Sequence, residues 1–116
     1  MSKVLDAAKA HFKEILASGL KGPIKVPEWN ADIYYKPATT FQQESKIVEL
    51  TQAGKTVEAL VESLIMRALD ADGNPLFNKV DKPELMRFVD PSIIMRVMAE
   101  MNDPDTQRVV EQGLGN

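Results

Sequence analysis

Apolar residues recur at three- and four-residue steps from the start of the chain. Val4, Leu5, Ala8, Phe12, Ile15 and Leu16 therefore share one face of an expected helix that stops near Gly19 or Gly22. Such a face needs something to pack on. Between Pro23 and Pro37 the period shortens to two: Ile24 and Val26 alternate with Lys25, and Ile33 and Tyr35 alternate with Tyr34 and Lys36. This pattern predicts two short strands joined by a turn at Glu28, Trp29 and Asn30, with a proline at each end marking where pairing stops. Helical spacing then returns. Thr39 or Thr40 can cap a helix that carries Gln42 or Gln43 at its third position and ends at Gly54. The next helix opens at Thr56, and its stripe of Val57, Leu60, Val61, Leu64, Ile65, Ala68 and Leu69 is the widest in the chain, which makes it the expected centre of the core. Beyond it, an Asp is followed closely by Pro three times, at Asp81 and Pro83, Asp90 and Pro91, and Asp103 and Pro104. Asp accepts the free amides of a helix start and Pro in the first turn loses nothing there, so three short helices are predicted over 82–89, 91–101 and 104–112, with Gly113 ending the last.

These elements describe a mainly α fold, a small helical domain with one short β-hairpin near the N-terminal third. Residues 1–22 form the N-terminal helix, 23–37 the hairpin, 39–102 the helical core and 103–116 a weakly held C-terminal segment, since only Val109, Val110 and Leu114 are there to bury. A length of 116 residues with 44% hydrophobic content supports one domain with one core. Without Cys there are no disulfides, thiolate metal sites or cysteine nucleophiles. No apolar run reaches the length of a membrane span or reads as a signal peptide, so a soluble cytoplasmic protein without a membrane partner is expected. The net charge of −3 argues against nucleic-acid binding, which needs a surplus of Lys and Arg. That charge is unevenly divided, at +2 over residues 1–55 and −5 over 56–116.

Chemistry-bearing patterns are few. His11, the one histidine, has no Ser or Cys partner at a suggestive spacing and reads as a structural residue. Glu58 and Glu62 lie four apart, as on a solvated helix face. Gly113 and Gly115 flank Leu114 with no strand before them, so they lack the context of a phosphate-binding loop. Asp70, Asp72, Asn74 and Asp81 occupy the first, third, fifth and twelfth places of a calcium-binding loop. The sixth place, which requires a left-handed backbone, holds Pro75, and Gly73 comes two residues early, so the segment reads as a turn. No catalytic residue, cofactor or metal is expected, and the chain reads as a non-enzyme.

Three features point to protein binding. Met95, Met98 and Met101 at three-residue steps form either a core stripe or an adaptable docking strip. Trp29 at the hairpin turn either folds back onto the domain or meets a partner. The thinly anchored C-terminal end could rearrange on binding.

The succession of Val26, Pro27, Glu28, Trp29 and Asn30, then Ile33, Tyr34, Tyr35, Lys36 and Pro37, and later Leu69, Asp70, Ala71, Asp72, Gly73, Asn74, Pro75, Leu76 and Phe77 ahead of an acidic helix start, resembles the tail assembly chaperones of long-tailed bacteriophages. The likeness lies in element order over residues 24–101, and Trp29, Tyr35, Asp72, Gly73, Leu76 and Phe77 match the family's pattern. On the residues themselves, Leu76 and Phe77 would anchor the inter-helix loop on the core while Asp72 and Gly73 make its turn.

The resemblance implies a non-enzymatic assembly factor in the host cytoplasm, absent from the mature virion. Its partners would be the tape measure protein, which it keeps soluble, and the tail tube protein, which it helps recruit. Self-association is implied as well. Two other classes fit the residues: a small phage connector or adaptor retained in the particle, and a degenerate calcium-responsive helical module. The resemblance further implies a longer product made by ribosomal frameshift. A Leu114 codon ending in G, GGA for Gly115 and AAY for Asn116 would read G-GGA-AAY, a message that permits backward slippage.

Overall fold

The computed structural model describes residues 2–103, and the helix expected over 104–112 lies outside them. Helix α1 spans Lys3–Ala17; Ser2 caps it, its hydroxyl oxygen accepting from the Leu5 amide at 3.0 Å. Strands β1 (Lys21–Val26) and β2 (Ala31–Tyr35) follow, joined by a 3-10 turn over Pro27–Trp29. Then come α2 (Phe41–Gln52), α3 (Thr56–Arg67), α4 (Lys82–Phe88) and α5 (Pro91–Met101). The described residues are thus mainly helical with one antiparallel hairpin, as the periodicity predicts.

The hairpin pairs Ile24 with Ile33 and Val26 with Ala31. The two-residue period sends Ile24, Val26, Ile33 and Tyr35 into the core and leaves Lys25 outside, where it faces Asp32 at 3.8 Å. Pairing does not stop at Pro23 as expected. It continues to Lys21, opposite Tyr35, because a bulge between Lys21 and Ile24 carries the proline through. Gly22 permits this: its φ is +114°, and a Cβ there would sit 2.8 Å from the Ile33 carbonyl oxygen.

Helix α2 begins with a capping box between Thr40 and Gln43. Helix α3 is the core element, with Val61, Leu64 and Ile65 buried and Ala68 just beyond its end buried too. Its stripe is shifted from the expected one, for Val57 is 57% exposed while Ala59 is buried. Across from α3, α5 buries Ile93, Ile94, Val97, Met98 and Met101, and each such side chain contributes roughly 1.5–3 kcal/mol on leaving water. Asp90 caps α5, one carboxylate oxygen accepting from the Ser92 amide and hydroxyl at 2.9 and 2.8 Å. Asp81 does not do the same for α4. It accepts instead from the Asn78 amide at 2.9 Å, closing the box of a 3-10 turn over Lys79–Asp81. Helix α1 has no fully buried residue: on its apolar face Phe12 and Ile15 are half-buried while Val4, Leu5 and Leu16 are exposed.

Candidate protein-binding trough

The segment after α3 runs back along the hairpin. Leu69 and Tyr34 exchange amide-to-carbonyl hydrogen bonds of 2.8 Å, and the Leu76 amide donates to the Ala68 carbonyl at 3.0 Å. Between them the chain reverses around Asp70, whose Oδ1 accepts from the amides of Asp72 (2.8 Å) and Asn74 (2.9 Å), with Gly73 at φ +87°. Asp72 and Gly73 sit in the turn, but Asp70 organises it. The first carboxylate of the calcium-loop pattern is therefore engaged with backbone amides. Among the described residues no three of His, Asp and Glu converge to form a metal site, and no helix is long and apolar enough to cross a membrane.

This reversal delivers Phe77 to the hairpin tip. Trp29 meets it edge to face, ring centres 6.1 Å apart and planes at 83°. Both rings are half-buried against the core. Beneath them opens a cleft of about 320 Å3, lined by Trp29, Ala31, Ile33, Leu76, Phe77, Leu85 and Val89. A second cleft of about 170 Å3 lies between α3, α4 and α5, and its lining includes Val57, Leu60, Leu85, Met86, Val89 and Met95. Leu85 and Val89 line both, so the two clefts adjoin across α4, and the pair is here termed the trough. Val57, Leu76, Met86 and Met95 are exposed along it.

Ion pairs tie together the elements around it. Arg96 donates two hydrogen bonds of 2.8 Å to the Glu28 carboxylate beside Trp29. The guanidinium and the tip backbone hold the Glu28 carboxyl down at about 2, and the carboxylate in turn raises the Arg96 pKa. Lys82 reaches back from α4 to Glu58 and Glu62, 2.6 Å from each. These two hydrogen bonds raise the Lys82 pKa, and Lys82 lowers that of Glu58. The glutamates expected on a plain solvated face thus clamp α4 to α3. Away from the trough, Tyr35 is buried with the Arg67 guanidinium 5.6 Å from its ring centre. Burial pushes the Tyr35 hydroxyl up and the Arg67 guanidinium down, and Arg67 donates to the Asn102 side-chain oxygen at 2.6 Å.

The three methionines do not act together. Met98 and Met101 are 2% and 1% exposed and belong to the core, whereas Met95 is 56% exposed at the trough. Three-residue steps fall about 60° short of a full turn each time, so Met95 and Met101 stand some 120° apart around the helix. Of the expected partner-binding residues, Trp29 and Met95 lie on the trough and Met98 and Met101 do not. Val57, Met86, Leu85 and Val89 were not anticipated there. Met86 and Phe88, two large apolar residues either side of Arg87 in a helix too short to bury both, were the available signal. His11 is exposed on α1. Comparison with family models, curated proteins and solved structures finds nothing that matches the chain.

Proposed function

We propose that this chain is a non-enzymatic assembly factor of the phage tail chaperone kind, which holds apolar helical segments of a tape measure protein in the trough. The observation that carries the reading is the adjacency of two apolar clefts that share Leu85 and Val89. Adjacent apolar clefts suit an amphipathic helix laid in a groove, with anchors at successive turns. Met86 and Met95 add side chains that adapt to different segments, as a chaperone of a long partner requires. The resemblance of the Trp29, Tyr35 and Asp72–Phe77 region to that family supplies the partner's identity, and with it a role in the host cytoplasm, recruitment of tail tube subunits, and absence from the finished particle.

Co-expression with the tape measure protein from the same genome tests this. A soluble complex is expected from the unaltered chain, with Met86→Asp and Met95→Asp leaving the fold intact and the tape measure protein insoluble. Capture indifferent to both substitutions would remove the trough from the account. Recovery of the chain from purified virions would favour a retained connector instead.

A further inference from the structure

A cavity of about 220 Å3 lies between the loop that follows β2, the C-terminal end of α3 and the Asp70 turn. The chain's net charge is −3, yet the charged lining here is all of the other sign: Lys36 and Arg67, with no Asp or Glu among the walls. Thr39 and Gln43 add polar groups, and Ala38, Met66, Leu69 and Pro75 make most of the rest apolar. Arg67 is short of acceptors. A guanidinium carries about five N–H donors, but the described residues give this one a single hydrogen bond, to the neutral Asn102 side chain at 2.6 Å, and leave its buried Nε without a partner. Lys82 and Arg96 have carboxylates to hold, whereas Arg67 forms no ion pair among the described residues. Glu44 is near enough to raise the Arg67 pKa, but its carboxylate accepts from the Thr39 hydroxyl and not from Arg67. Burial still pushes the guanidinium down, so desolvation outweighs what the neighbours return.

We propose that this cavity binds a carboxylate on a short aliphatic stem, held by Arg67 and Lys36. A guanidinium taken out of water without a counter-charge is costly, and a carboxylate set against it restores that charge through hydrogen bonds of the charge-assisted kind. Lys36 is exposed, so it adds a second positive charge at little cost in desolvation. The apolar walls favour a few methylenes behind the charged head over a fully hydrated anion such as sulfate. The volume sets the size of the ligand, for it falls below the roughly 300–1,000 Å3 of sites for drug-sized molecules. A free short-chain carboxylate offers this chemistry, and so does the glutamate side chain of a bound protein. None of the cavity's residues lines the trough, and the proposal is independent of the proposed function.

Butyrate is the probe, titrated into the full chain at constant ionic strength and followed by proton–nitrogen NMR. Saturable shifts are expected at the Arg67 Nε–H and at the amides of Ala38, Leu69 and Gly73, with a dissociation constant on the order of a millimolar for so small a ligand. Butyramide, which has the same shape without the charge, and sulfate should each bind about tenfold more weakly or less well still. Lys36→Gln, at an exposed position, should leave the fold intact and weaken butyrate about tenfold. Arg67→Gln should abolish binding, and its own spectrum reports whether it is folded; if it is not, Lys36→Gln decides. An end-blocked peptide with one glutamate separates the two sources: displacement of butyrate assigns the site to a protein side chain, and no displacement assigns it to a free carboxylate. Shifts that do not saturate, equal affinity for butyramide, or butyrate binding unmoved by Lys36→Gln would overturn the proposal, whatever the chain does with a tape measure protein.

Discussion

Arg96, in the second turn of α5, grips the carboxylate of Glu28 at the hairpin tip through two hydrogen bonds of 2.8 Å. The two residues are 68 apart in sequence, so this fork fixes where the tip, and with it Trp29, sits relative to the helices. Its pH dependence follows from linkage. The carboxyl is held at about 2 in the fold against an ordinary 4.5, so the contribution is fully present above 4.5 and is lost as the pH falls through that value toward 2. Glu28→Gln removes it. The melting temperature of the unaltered chain should exceed that of the variant at neutral pH, and the gap should close across that acid window. Both groups are largely exposed, so the gap is small and high salt narrows it. A gap that stays constant down to pH 2 would mean that the fork does not couple to folding.

The Trp29–Phe77 contact makes a separate prediction. Trp29 is half-buried, so Trp29→Ala should cost about 2 kcal/mol, less than the loss of a fully buried ring, and leave a folded chain. Phe77→Ala should cost a similar amount, and the double variant should cost less than the two together by about 1 kcal/mol, the worth of an edge-to-face pair. Urea denaturation of the four chains measures this. Strict additivity would show that each ring packs independently on the core.

Features whose partners lie close in sequence are legible in the sequence itself. The capping box of Thr40 and Gln43, the alternation of Ile24 and Val26 with Lys25 and of Ile33 and Tyr35 with Tyr34, and the Asp90 cap of α5 follow from local spacing alone. What is not legible depends on long-range partners. Periodicity states that α1 has an apolar face but not that the other described residues leave Val4, Leu5 and Leu16 on it exposed. Nothing local distinguishes Met95 from Met98, whose fates are set by α3 on one side and the open trough on the other. Glu58 and Glu62 have the spacing of solvated helix positions because Lys82, which joins them, is 20 or more residues away. Pro23 misleads for the opposite reason: the rule that proline ends pairing is local, and Gly22 with its bulge sets it aside.

The Asp70 turn predicts indifference to calcium. One oxygen of this carboxylate accepts two backbone amides, an arrangement that serves the reversal between Leu69 and Leu76. Millimolar calcium should leave the melting temperature unchanged. Asp70→Ala should destabilise by about 1 kcal/mol, in the range of other lost caps, and do so equally with calcium or a chelator present. Saturable one-to-one binding in a calorimetric titration would contradict the turn reading and revive the calcium-responsive one.

The sharpest contrast lies between Met98 and Met95, three residues apart on one helix. Met98 is 2% exposed within the core cluster, so Met98→Ala leaves a cavity and should cost about 2–5 kcal/mol. Met95 opens on the trough, and Met95→Ala should change stability by no more than about 0.5 kcal/mol, as surface substitutions usually do. Binding should rank the two sites the other way at temperatures where both variants are folded. Met95→Asp, which puts a charge into an apolar groove that a partner helix must dehydrate, should reduce capture of the tape measure protein by tenfold or more, at about 1.4 kcal/mol per decade. Met98→Ala should capture it normally. Denaturant melts and a pull-down with the same protein stocks separate the two effects. If Met95→Asp binds as well as the unaltered chain, Met95 is a bystander at the trough; if Met95→Ala unfolds as readily as Met98→Ala, the side chain is part of the core and the trough is not an open surface.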